Sequence, residues 1–197
     1  MKKIIMLLLI LTVVGASAFA FDLTTFPSPI QPGDFLISPT IHLGRFYSWA
    51  DYGFMLGITG AVEYALPIPL TVGGEAGIAI GFGSYGALGI PILAKVAWHP
   101  NFEVPNLDIY ATLKLGLNIG ILTGDYGYYG SNAKGGLGFA YGFNVGARYF
   151  FTPSFAAFGE LGWDQYRYRI TWDSFSYTYK YYGWMGSFFH AGVTFKF

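Results

Sequence analysis

At 197 residues the chain has room for one domain once a targeting segment is set aside. Eleven basic and eleven acidic residues balance, so there is no basic field to draw nucleic acid, and the absence of cysteine excludes disulfides and a lipid-bearing cysteine. Hydrophobic residues make up 53% and charged ones only 11%, where a soluble domain carries about 25%, so the chain lacks the polar material to cover itself in water.

The N-terminus reads Met1-Lys2-Lys3, then an apolar run from Ile4 to Val14, then small residues ending Ala18-Phe19-Ala20. This is the three-part layout of a secretory signal peptide, residues 1–20, with cleavage after Ala20 or, alternatively, after Ala18. The apolar run is far shorter than the roughly 20 residues a spanning helix needs. Loss of Lys2 and Lys3 leaves nine basic against eleven acidic residues, a net charge of −2. Residues 21–33, with Pro27, Pro29 and Pro32, read as an extended periplasmic lead-in.

From residue 34 to 197 the hydrophobicity alternates with period two, the mark of strands with one apolar face. In the stretch Ile109 to Ile121 every odd position is apolar, while Tyr110, Thr112, Lys114, Gly116, Asn118 and Gly120 stand between them. Phe139, Tyr141, Phe143, Val145, Ala147 and Tyr149 likewise oppose Ala140, Gly142, Asn144, Gly146 and Arg148. Eight strands are predicted: 34–47, 53–65, 70–83, 87–98, 107–122, 137–150, 155–171 and 175–197. A soluble lipocalin-type barrel also alternates, but its outer face should be rich in charge, and here the second face is glycine with an occasional charge. The inverted arrangement fits an all-β fold: an eight-stranded antiparallel up-and-down transmembrane β-barrel, closed because an open edge in hydrocarbon leaves backbone groups unpaired. Three connections are short and proline-bearing, around Pro67 and Pro69, Pro100 to Pro105, and Pro153; two are long, 123–136 and 172–182. Short turns belong to the periplasmic side, which puts both termini there and the long loops outside.

With the phase so fixed, Glu63, Glu75, Lys95, Lys114, Arg148, Glu160 and Lys196 all face inward. A charge on the lipid face costs about 2–4 kcal/mol near the midplane, so the expected result is a lumen charge network that plugs the barrel, with a selectivity region in a pore as the other reading. Glu63, Arg148 and Lys196 should lie at the periplasmic end, Glu75, Lys95 and Glu160 above them, and Lys114 near the middle. Inward glycine, asparagine and tyrosine higher up suggest a cup open to the outside, with room for water or one small ligand. The three histidines, His42, His99 and His190, show no Ser-His-acid spacing, so no enzyme is expected, and no metal cluster, phosphate loop or cofactor motif is visible. Alternation continues past the membrane through Tyr166 to Trp172 and on to Tyr181, as a protruding ribbon. Tyr168, Trp172, Tyr177 and Tyr179 are its candidate contact residues, and Arg167 and Arg169 are placed to meet lipid phosphates.

The last residues, Phe189, Ala191, Val193, Phe195 and Phe197, are apolar at every second position and end on phenylalanine. This resembles the C-terminal assembly signal of bacterial outer-membrane barrels, and the mature chain is similar to the small-barrel group of OmpX, OmpW and the membrane domain of OmpA. The resemblance implies an outer-membrane address, a monomer, and as partners outer-membrane lipids, the barrel-assembly machinery, periplasmic chaperones and, at the loops, an extracellular protein. The plugged lumen and the outer loops point to a structural or surface-interaction role; the likeness to OmpW implies the alternative, a narrow channel for small hydrophobic molecules.

Overall fold

The computed structural model describes residues 29–48, 51–83, 86–100, 104–122, 133–174 and 177–197. The signal peptide, the start of the lead-in, residues 123–132 of the long loop and residues 175–176 lie outside the described residues. The strands are β1 (Phe35–Ser48), β2 (Asp51–Ala65), β3 (Leu70–Phe82), β4 (Ala87–Trp98), β5 (Leu107–Leu122), β6 (Ala133–Gly135), β7 (Leu137–Thr152), β8 (Phe155–Ser174) and β9 (Tyr177–Lys196). All eight predicted strands are present with ends displaced by three residues or fewer. The extra β6 continues β7: both pair with β8, and between Gly135↔Ile170 and Ala140↔Tyr166 one side advances a residue further, a bulge around Gly136.

Each long strand pairs antiparallel with the next, and β9 pairs with both β8 and β1, which closes the barrel. The closure is tight at its end, where Phe35 and Phe197 exchange both backbone hydrogen bonds. Register partners traced once around run Leu36, Glu63, Gly73, Lys95, Lys114, Gly142, Asp164, Ser187 and Gly44, returning to β1 eight residues on. A closed barrel of eight strands has an interior just wide enough for side chains to fill.

Two prolines stand inside the barrel wall, where a strand normally tolerates none. Pro39 falls where the β1–β9 pairing skips from Ile37 to Thr40, and Pro91 where the β3–β4 pairing skips opposite Gly77, so each missing donor sits in a local break of the ladder.

The start of β1, the end of β9 and the β2–β3, β4–β5 and β7–β8 connections share one end of the barrel, called here the terminal end; the other is the loop end. The outer wall is apolar in bands. A middle band of Ile58, Ile78, Ile92, Leu113, Leu115 and Val145 is exposed, flanked by aromatic girdles. Tyr149, Phe151, Phe155 and Phe195 form a chain of ring contacts at the terminal end, with centroids 5.2, 6.1 and 5.6 Å apart. Phe54 and Phe82 stack at the loop end, with Tyr52, Phe139, Trp163 and Tyr182 exposed around them. The core is therefore the lumen, and the surface that would face water in a soluble sheet is the greasy one.

Candidate functional site: the filled lumen

The lumen is packed in three tiers. At the terminal end Ile30, Leu36, Ala65, Phe150 and Ala156 form a small apolar cluster. Residue 30 reaches it because Gly33 adopts a left-handed φ of 93°, turning the segment back so that the Gln31 amide donates to Asp34 Oδ2 at 2.7 Å. Lys196 locks this turn, donating to the Pro29 carbonyl at 2.7 Å and pairing with Asp34 at 3.2 Å. The described part of the lead-in is thus a cap on the barrel, not an extended segment, and Lys196 belongs to that half-buried cap and not to the lumen network.

The middle tier is ionic. Glu63, Glu75, Lys95, Lys114, Arg148 and Glu160 are all buried, and Asp108, Asp164 and all three histidines join them. Glu63 receives Lys95 at 3.1 Å and Arg148 at 3.5 Å, and Thr71 donates to it at 2.8 Å. Arg148 reaches Asp108 at 3.5 Å, with its guanidinium 4.8 Å from the centre of the Tyr110 ring. His99 bridges Asp108, at 2.8 Å, and Thr71, at 3.1 Å, so this lower group closes on itself as a ring. Above it, Lys114 sits between Glu75 at 2.9 Å and Asp164 at 3.0 Å. Tyr110 donates to Glu160 at 2.9 Å and Asn144 to Asp164 at 2.8 Å. Burial of so many charges persists because nearly every one is paired and hydrogen-bonded.

Three of these groups were missed in the sequence, although the signal was there. Asp108 shares the parity of Lys114 on β5, Asp164 that of Glu160 on β8, and His99 continues the inward parity of β4 one step past its end. Including them turns the expected near-balance into five carboxylates against three lysine and arginine cations among the described lumen residues.

The structure also assembles what the sequence spacing did not display. Ser187 Oγ lies 2.8 Å from His190 Nε2, and His190 Nδ1 lies 3.0 Å from Glu160 Oε2, the order of a nucleophile, base and acid. Residues three apart on a strand should face opposite ways. An extra residue in β9 against β1, with Phe188 and Phe189 both outward, switches the phase and turns both Ser187 and His190 inward. Ser187 is fully buried, two residues from the buried Met185 on the same inward face.

The upper tier is apolar and aromatic: Phe46, Met55, Tyr166, Tyr168, Ile170 and Met185 are buried together with Ala79, Ala87 and Ala140. Among the described residues, side chains fill the level where the open cup was expected. The inward glycines do not leave space; they are sockets for large neighbours. A Cβ on Gly81 would stand 2.3 Å from the Phe46 ring, one on Gly89 2.4 Å from the Met185 methyl, and ones on Gly120 and Gly183 2.3 Å from Tyr168. Tyr168, expected as an outer contact, is the centre of this filling, because β8 keeps its even-inward phase up to Ile170. Tyr179 is exposed and stacked on Tyr181 at 6.4 Å, while the side chains of Trp172 and Tyr177 lie outside the described residues. Arg167 and Arg169 point outward, and Arg167 is held by Tyr141 and Gln165. Phe189, Phe195 and Phe197 are exposed, with Ala191 and Val193 half-buried along the same outward phase of the closing strand.

An apolar outer wall, aromatic girdles and a charge-filled interior define the architecture of the small outer-membrane β-barrels. Among solved structures, the chain is similar to the neisserial surface protein NspA, at 16% identity and a TM-score of 0.56, covering 84% of this chain and 97% of that one. It is also similar to AlkL, at 13% identity and 0.53 over 88% and 95%, and to OprG from Pseudomonas aeruginosa, at 12% identity and 0.50 over 89% and 99%. No protein-family model and no curated protein matches the sequence.

Proposed function

We propose that this chain is an integral outer-membrane barrel whose lumen is sealed, and that it works through its surface, as a structural element of the membrane or by contacts at the loop end. The observation that carries this reading is the filling of the lumen at three successive levels. A channel for small hydrophobic molecules would need the glycine sockets empty, and they hold Phe46, Met185 and Tyr168. Catalysis would need a way to Ser187, which lies under the same lid.

The orientation with termini in the periplasm draws support from the exposed charges. Arg45, Lys134, Arg167, Arg169 and Lys180 are exposed towards the loop end, whereas Lys196 at the other end is tied to Asp34. A cationic rim suits a leaflet rich in lipid phosphate. The ribbon of β8 and β9, carrying Tyr179, Tyr181 and Tyr182, is the surface offered to an extracellular protein, and the Phe-ended β9 is the strand offered to the assembly machinery and its chaperones.

The chain has no cysteine, so single cysteines report access without background. In the refolded protein, a membrane-impermeant maleimide should label Tyr52→Cys, whose parent side chain is 78% exposed, and leave Asn118→Cys in the lumen unmodified. Rapid labelling at both positions would mean a water-filled lumen and would remove the sealed reading.

A further inference from the structure

We propose that the upper ionic tier is a divalent transition-metal site, with His42 Nδ1, His190 Nε2 and Asp164 Oδ2 as ligands and Zn²⁺ as the fitting ion. The three atoms lie within 4.8 Å of one another and all three residues are buried. Asp164 Oδ2 is 3.5 Å from His190 Nε2 and 3.9 Å from His42 Nδ1. Two ligands at about 2.05 Å from a tetrahedral ion stand roughly 3.3 Å apart, so small side-chain rotations complete the site. The imidazole rings already meet, with centroids 4.3 Å apart.

The hydrogen bonds fix which nitrogen each histidine offers. Thr59 gives its one hydroxyl proton to Glu75 at 3.3 Å, so at 2.6 Å from His42 Nε2 it accepts. His42 Nε2 therefore carries a proton, and Nδ1, which has no hydrogen-bond partner among the described residues, turns its lone pair towards a carboxylate oxygen. A lone pair aimed at a buried carboxylate is repulsive until a cation lies between them. His190 donates through Nδ1 to Glu160 and so offers Nε2, and this carboxylate behind the imidazole is the arrangement that orients and strengthens metal-binding histidines. Two imidazoles with one carboxylate suit Zn²⁺ or a similar first-row ion, not a hard cation such as Ca²⁺. Charge agrees: five lumen carboxylates face three lysine and arginine cations, and Lys114, now shared between Asp164 and Glu75, keeps Glu75 when the ion takes Asp164. Ser187, at 2.8 Å from His190 Nε2, then becomes a neighbour of the ion and not a nucleophile.

Because the lumen is closed, the ion has to enter during folding. The untagged mature chain is refolded in detergent with Zn²⁺, desalted in the presence of a chelator, and its metal content measured. About one equivalent per chain is expected in the wild type and near none in His42→Ala or His190→Gln. Refolding with Co²⁺ should give the visible absorption of a four-coordinate nitrogen and oxygen site, lost in the same variants. Should His42→Ala not fold, Asp164→Asn, which keeps the side-chain shape, supplies the comparison. A folded wild type without metal, or variants that retain a full equivalent, would overturn the site. Desalting is run in parallel without the chelator, so that metal lost to the chelator alone marks an open lumen, while metal absent from both samples overturns the site.

Discussion

The ionic tier and the apolar tier above it fill the same tube by opposite means. In the ionic tier each group is held by named partners in fixed directions: Lys114 between Glu75 and Asp164, Arg148 between Glu63 and Asp108, His99 between Asp108 and Thr71. In the apolar tier Phe46, Tyr168 and Met185 are held by shape, each in the gap left by a glycine on another strand. Charges therefore fix the register of the strands, since a slip by one residue would turn every one of them towards lipid. Sockets fix only volume.

The difference makes the two tiers respond differently to substitution. Lys114→Ala should have the largest effect, because Glu75 and Asp164 are left buried with one cation removed. Breaking a buried pair from one side costs about 3–5 kcal/mol, read as a lower guanidinium midpoint followed by tryptophan fluorescence in lipid vesicles. Added salt should restore little, since screening hardly reaches a buried site. Met185→Ala should cost roughly 2–5 kcal/mol by the cavity it opens against Gly89, and its loss should be shared with Phe46→Ala in a double-mutant cycle only as far as their contacts overlap. If Lys114→Ala proved neutral while Met185→Ala was severe, the charges would be passengers on the packing. The smallest effect concerns Ser187 at the junction of the tiers: a fluorophosphonate probe should leave the wild type unmodified. Labelling of Ser187 abolished by His190→Gln would mean that the lid opens and that the Ser187, His190 and Glu160 arrangement is chemically live.

Much of the fold was legible because lipid enforces it. Burial of charge inside and apolar groups outside is costly to violate at every residue of a spanning strand, so parity alone predicts that Glu63, Lys95, Lys114 and Arg148 point inward, and the expected strand ends fall close to the observed ones. Parity carried to its end would also have found Asp108, Asp164 and His99. The phase switch at Phe188 was not legible, because a bulge is a property of pairing between strands that no single strand displays, and with it went the meeting of Ser187 with His190. The filling of the upper lumen was hidden for a related reason. A glycine on the inward face reads as empty space until the register places Phe46, Met185 or Tyr168 opposite it. Tyr168 itself reads as an interface residue by type, and only the length of β8 carries its inward phase as far as Ile170.

Ionic conductance tests the proposed closure of the lumen most directly. The mature chain, refolded and shown to be folded, is incorporated into a planar bilayer at high salt and held at increasing voltage. The account predicts a silent membrane. Discrete, reproducible current steps from the folded wild-type protein would contradict it and would turn the charged tier into a filter.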